Sequence, residues 1–328
     1  MDKHNITLRP NESQLCCQSD IEATFSLVSG ISLVVISFIT IAGNGMLCVA
    51  IYKNPLKRFR SAPMLFVANL AVADFLTGSI VDPLYITYNF GFNQAKDYQA
   101  ALAVGDHASY ITVNVSLCTA VVLVIDRFLA LKTPFRYRRF MTKQNAVGIV
   151  VVLWVYSIMF SFLPHMGTHD TVYYLLDLHI HVTGSLFTLT VFLFLIYRLS
   201  VLTRNQRAGM TDSSPQLDQR GRLQLVRDKK TICTFLIILV ACYICLLPYY
   251  IYMHVFLFCA SCQTSWVLLV LSKISEPIVY MNCALNPFIY AWRHKVFRKS
   301  LKIAFMPSQM RVKPEEMNSQ RTSGMSIF

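Results

Sequence analysis

SYITVNVSLCTAVVLVIDRFLALKTPFRY, residues 109–137, decides how the rest of the chain is read. From His107 to Val124 there is no formal charge and most residues are apolar; the run then ends in Asp126-Arg127-Phe128, followed by Pro134 and Tyr137. An uncharged helix of this length can cross a bilayer, because its backbone hydrogen bonds close within the segment. An Asp-Arg pair where such a helix leaves the bilayer is expensive unless it is paired or wet, so it marks a position with a task.

Working outward, the 328 residues are 55% hydrophobic and only 14% charged, with mean hydropathy +0.47. Soluble domains carry about 25% charged residues, so the composition predicts an all-α membrane protein. Seven apolar segments are expected at roughly 24–52, 62–88, 99–131, 144–166, 176–203, 229–257 and 264–292, with ends uncertain by about 2–4 residues. With the N-terminus outside, 26 of the 30 Lys and Arg residues fall on the inner side, and only Lys3, Arg9, Lys96 and Lys273 do not. The excess of basic residues on one side sets an extracellular N-terminus and a cytoplasmic C-terminus. The net charge of +13 is therefore an orientation signal, and the expected partner is the lipid bilayer, with no nucleic acid.

Residues 1–22 form a polar tail with two sequons, at Asn5 and Asn11, expected to be a glycosylated extracellular end. The first apolar run, from about Ala23, is too long for the core of a cleavable signal. Residues 23–293 make the seven-span domain. Within it, 204–227 carries Ser213-Ser214-Pro215, Gly209 and Gly221 and is expected to be a flexible third inner loop. Residues 294–305 place Val296, Phe297, Leu301 and Phe305 at helical spacing among basic residues, which predicts a short amphipathic eighth helix on the anionic inner leaflet. Residues 306–328 are expected to be a disordered cytoplasmic tail. Cys48, Cys118, Cys233, Cys242, Cys245 and Cys283 lie inside apolar runs as small hydrophobes. Cys16, Cys17, Cys259 and Cys262 lie in polar flanks and are the disulfide candidates; no zinc spacing occurs.

Asp126-Arg127-Phe128 with Pro134-Phe135-Arg136-Tyr137 resembles the DRY-type motif and second inner loop of rhodopsin-like (class A) G-protein-coupled receptors. Further matches follow in order: Gly43-Asn44, Leu70-Ala71-Val72-Ala73-Asp74, Trp154, Cys245-Leu246-Leu247-Pro248 and Asn286-Pro287-Phe288-Ile289-Tyr290. The resemblance covers residues 23–305. It implies a plasma-membrane receptor, not an enzyme, that binds an extracellular ligand and activates a heterotrimeric G protein. It assigns the activation switch to Asp126, Arg127, Phe128, Pro134, Phe135, Tyr137, Tyr197, Asp228, Asn286, Pro287 and Tyr290, with Arg127 held at rest by Asp126 and Asp228. It also implies an allosteric sodium ion among Asp74, Ser116, Asn282 and Asn286, whose carboxylate, hydroxyl and amides are hard oxygen ligands; no other cofactor is implied. The alternative is a transporter or ion pathway using the same Asp and Asn residues, which predicts inverted repeats or broken half-helices; neither is found in the sequence.

Departures narrow the resemblance. The usual Cys at the outer end of the third helix is absent from Ala101-Leu102-Ala103, residues 167–175 hold no Cys, Leu246 replaces the usual Trp, and the fifth helix lacks its usual Pro. Together these resemble the melanocortin–cannabinoid–lysophospholipid–adenosine branch. The melanocortin pattern further implies pairing among Cys259, Cys262, Cys16 and Cys17. Ser109 stands where amine receptors carry an Asp, and Tyr280 where opsins carry the retinal Lys. The acids Asp82, Asp106 and Glu276, with Tyr85, Ser109, Tyr249, Tyr250, His181, His254 and Tyr280, are the ligand-pocket candidates. An acidic, aromatic pocket suits a cationic or peptide ligand, whose identity the residues leave open.

Overall fold

The computed structural model describes residues 12–54, 61–91, 97–184, 186–194, 197, 215–293 and 295–305; some side chains within these, including those of Pro134, His181 and Asp228, lie outside the description. Among the described residues the chain is helical without strands. The elements are α1 (Glu12–Lys53), α2 (Ala62–Leu76), α3 (Asp82–Phe90), α4 (Asp97–Lys132), α5 (Pro134–Phe140), α6 (Lys143–Ser161), α7 (Asp170–Asp177), α8 (Pro215–Phe258), α9 (Trp266–Arg293) and α10 (Lys295–Phe305). Six of the described helical stretches are long and apolar enough to span a bilayer: Ile21–Lys53, Ala62–Phe90, Ala100–Ala130, Lys143–Ser161, Leu236–Phe258 and Trp266–Arg293. The fifth span of the seven-helix bundle follows α7 through a π-helical turn, Leu178–Thr183, into helical residues 186–194.

In lipid every backbone group needs a protein partner, and the motif residues meet that demand across helices. Pro287 in α9 has no N–H, so the Cys283 carbonyl loses its partner four residues on. Asn44 supplies the replacement, its Nδ2 donating to Cys283 O at 3.0 Å. Gly43 beside it makes room, since a Cβ there would sit 3.0 Å from Pro287 Cγ. Trp154 Nε1 donates to Asn69 Oδ1 and Asn69 Nδ2 to Thr119 Oγ1, each at 2.8 Å, tying α6, α2 and α4 together. Large exposed side chains such as Phe38, Ile244 and Phe187 form the surface that faces lipid. After α9 the chain turns and α10 meets the C-terminal end of α1, where Lys53 Nζ donates to Ala304 O at 3.0 Å.

Two expectations shift. Residues 215–227, expected in a flexible loop, are the first turns of α8, and α1 begins at Glu12 instead of near residue 24. Pro215 opens α8, where a missing N–H leaves no bond unmade. After it, Leu, Gln and Arg are good helix formers, and the single Gly221 weakens the helix by only about 1 kcal/mol. The expected disorder of 306–328 and the glycosylation of Asn5 and Asn11 lie outside the described residues.

The second span is not one α-helix: a π-helical turn, Thr77–Val81, separates α2 from α3. Here helices one and two approach closely, because a Cβ on Gly78 would lie 2.9 Å from Thr40 Cγ2 and 3.0 Å from Thr40 Cβ. A β-branched side chain cannot swing clear. Gly78→Ala is therefore expected to destabilise the fold by about 1–3 kcal/mol, measured as thermal unfolding of the purified protein. Gly148→Ala, which meets nothing within 4 Å, is the neutral control.

Candidate functional site

The helices enclose a cavity of about 490 Å³ opening between the outer ends of α3, α4, α7, α8 and α9. Its phase along each helix is visible in spacing: Asp106, Ser109, Tyr110, Val113 and Leu117 line it from α4, and Tyr249, Tyr252, Met253 and Phe256 from α8. These are the i, i+3, i+4 and i+7 positions of one helical face. Four carboxylates (Glu22, Asp106, Asp177 and Glu276) and one ammonium, Lys273, are on the wall. The Tyr85 hydroxyl donates to Asp106 Oδ1, and Tyr280 OH meets Ser109 Oγ at 2.9 Å. The two tyrosine rings lie 5.3 Å apart. Glu276 accepts from Asn89 Nδ2 at 3.0 Å and from Ser29 Oγ at 3.5 Å. Lys273 Nζ is 4.9 Å from the Tyr88 ring centroid and 3.5 Å from Asn89 Oδ1.

Of the pocket residues expected from sequence, Tyr85, Asp106, Ser109, Tyr249, Glu276 and Tyr280 line this cavity. Tyr250 and His254 do not: their rings stack 4.1 Å apart and Tyr250 OH meets Thr183 Oγ1 at 3.5 Å. One residue of helical phase turns them toward the fifth span instead. Asp82, expected in the ligand pocket, is completely buried and absent from the cavity wall. The His181 side chain lies outside the described residues, and His179 packs 5.9 Å from His254. Tyr110, Asp177, Tyr252 and Lys273 line the cavity without having been expected. Spacing from Asp106 and Tyr249 contained the signal for the two tyrosines.

At mid-membrane, Asp74 is fully buried and accepts from Ser116 Oγ at 2.9 Å and Asn286 Nδ2 at 2.7 Å. The side-chain oxygens of Asn44, Asn282 and Asn286 are buried without a hydrogen-bond donor among the described residues. Around this cluster stand three acceptors with spare lone pairs, a donor set suited to a hard cation.

At the opposite end of the bundle from the cavity, Arg127 Nε donates to Asp126 Oδ2 at 2.8 Å, and its Nη2 reaches the same oxygen at 2.5 Å. Nη2 also donates to Tyr137 OH, which in turn donates to Asp126 Oδ1, both at 2.9 Å. Burial is the main reason the Tyr137 phenol is pushed up to about 12, so it remains an O–H donor at physiological pH. Pro at the first position of α5 starts the helix that delivers Tyr137. Phe128 meets Phe192 edge-on at 5.1 Å, Phe135 is 89% exposed, and buried Tyr290 packs 6.5 Å from Phe297. Tyr197 is exposed. Asp228 is on α8, and its side chain, like that of Pro134, lies outside the described residues. Between α8 and α9, Cys259 and Cys262 are disulfide-bonded to each other; the side chains of Cys16 and Cys17 lie outside the described residues.

The profile of the 7 transmembrane receptor (rhodopsin family) matches residues 43–290. The human adenosine receptor A2a is 24% identical over 294 residues, covering 81% of this chain and 69% of its own length. The rat histamine H2 receptor is 27% identical over 325 residues, covering 91% of this chain and 84% of its own. The chicken adenosine receptor A2b is 33% identical over a shorter stretch of 133 residues.

Proposed function

The chain belongs to the rhodopsin family of seven-transmembrane receptors and activates heterotrimeric G proteins, and on that premise we propose that its ligand is a small cation held in the outer cavity. The observation that carries this is the wall itself: four carboxylates against one lysine, among tyrosines, in about 490 Å³. Cavities of about 300–1,000 Å³ suit small molecules, and the negative wall attracts and concentrates cations. Asp106 is the anchor, because Tyr85 orients one of its oxygens and leaves the other for a charge-assisted bond. Tyrosine faces contribute cation–π attraction to the same charge. The transporter alternative has no support beside the family match.

Activation is a shift between two conformations, driven by the ligand's differential affinity for them. At rest Arg127 is held by Asp126 and Tyr137; on activation it lets go, and with Tyr290 lines the cavity that receives the G protein, into which exposed Phe135 inserts. Asp74, Ser116, Asn282 and Asn286, with Asn44, would hold a sodium ion that stabilises the resting state. The basic loops support a plasma-membrane protein with its N-terminus outside, and the two sequons support a glycosylated tail. The Cys259–Cys262 bond supports two of the four disulfide candidates, while the relatives named above are adenosine and histamine receptors and lend the melanocortin resemblance no support.

The test is a panel of small amines beside their uncharged isosteres and short cationic peptides, read by G-protein dissociation in cells expressing the receptor. Small cations are expected to raise signalling above basal and their isosteres to be silent. Responses confined to neutral or anionic compounds, or to peptides, would overturn the ligand class while leaving the receptor assignment intact.

A further inference from the structure

We infer that Asp82 anchors a second site for a sodium-like monovalent cation, lodged between α1 and the π-helical turn of the second span and separate from the Asp74 cluster. Asp82 has no exposed surface, and among the described residues neither of its carboxylate oxygens has a hydrogen-bond partner. An ionised carboxylate left so in a membrane interior is expensive, and the surroundings offer a remedy made of oxygen.

The π-turn supplies the first part. Asp82 N donates to Thr77 O in place of the Gly78 carbonyl that an α-helix would use, so Gly78 O is released. Ser37 Oγ on α1 donates to it at 2.8 Å, which leaves a lone pair on the carbonyl and the hydroxyl's own oxygen able to bind a cation. Helical side chains lean back over the preceding turn, which brings the Asp82 carboxylate over the turn that contains Gly78. Thr40 supplies another oxygen: it too is fully buried, its Oγ1 has no partner, and it packs directly on Gly78. A carboxylate, a carbonyl and two hydroxyls thus lie on adjoining turns of α1 and the second span, and the set is of oxygen only.

A single carboxylate balances a single charge, whereas divalent ions want several carboxylates. Of the neighbouring acids, Asp74 is bonded to Ser116 and Asn286, Asp106 to Tyr85, and Glu276 to Asn89 and Ser29. The Lys273 ammonium lies against Tyr88 and Asn89. Among the described residues no group of three or more His, Cys, Asp and Glu could hold a metal ion, which removes a transition metal as the occupant.

Three residues beyond Asp82, Tyr85 lines the outer cavity with its ring partner Tyr280. An agonist that moves these rings changes the cation's enclosure, so by reciprocity the cation lowers agonist affinity. That last step rests on the receptor reading; the binding site does not.

The experiment uses the purified full-length receptor without agonist, its unfolding temperature followed as sodium chloride replaces choline chloride at constant ionic strength. Asp74→Asn is expected to retain a sodium-dependent rise of about 2–4 °C, and Asp74→Asn/Asp82→Asn to lose it. Thr40→Val in the Asp74→Asn background, which keeps the carboxylate, is expected to raise the sodium concentration for half effect at least about threefold; this variant decides the matter if the double Asn variant does not fold. A flat sodium response in Asp74→Asn, or a rise that survives both further substitutions, overturns the proposal. If Asp74→Asn instead loses stability with rising pH and ignores sodium, Asp82 holds a proton and the site is not a cation site.

Discussion

Arg127→Ala is expected to reduce G-protein activation to the level of cells lacking the receptor, at unchanged surface expression. In the resting arrangement the guanidinium spends its donors on Asp126 and Tyr137. Its side chain is only 18% exposed and the Asp126 carboxylate not at all, so the pair is poorly screened by water. A group held this way must be released before it can face a partner, and alanine has nothing to release. Tyr137→Phe provides the opposite sign in the same triad. It removes one bond to Arg127 and one to Asp126, together worth about 1–3 kcal/mol. Basal signalling is then expected to rise about 5- to 100-fold, up to saturation. Normal coupling by Arg127→Ala, measured by nucleotide exchange on purified G protein, would remove Arg127 from the switch. Unchanged basal activity in Tyr137→Phe would mean that the triad does not hold the resting state.

The second large effect is at the opposite end. Asp106→Asn is expected to weaken the active amine about 10- to 100-fold in concentration–response, since a hydrogen bond to a charged group is worth about 1.5–3 kcal/mol. Asparagine still accepts from the Tyr85 hydroxyl through its amide oxygen, so the wall keeps its shape while the charge is lost. Glu22→Gln and Asp177→Asn, which add to the field without the same orienting tyrosine, are expected to shift potency by less than about tenfold. Equal loss in all three would mean that the cavity selects cations by its overall potential. Full potency in Asp106→Asn would move the anchor to Glu276, whose oxygens are already shared with Asn89 and Ser29.

Much of this molecule was legible before its coordinates. Apolar runs in lipid must close their own backbone bonds, so the run lengths determine helices, and the basic residues determine which loops stay inside. The cytoplasmic triad was half legible: Asp126 and Arg127 are neighbours in sequence, while Tyr137 reaches them only because α5 turns it back. Asn44 was visible as a polar residue in an apolar run, but its target, the carbonyl orphaned by Pro287, lies 239 positions away.

The sequence alone therefore determined the helical class and the order of the apolar spans, because those follow from local hydropathy. Tertiary structure decided which of two adjacent side chains faces the cavity, as with Tyr249 against Tyr250, and that Asp82 lies buried instead of on the cavity wall. The reason is phase. A π-helical turn inserts one residue and rotates everything beyond it by about 100°, and the packing of a neighbouring helix, here Thr40 on Gly78, fixes where that rotation comes to rest.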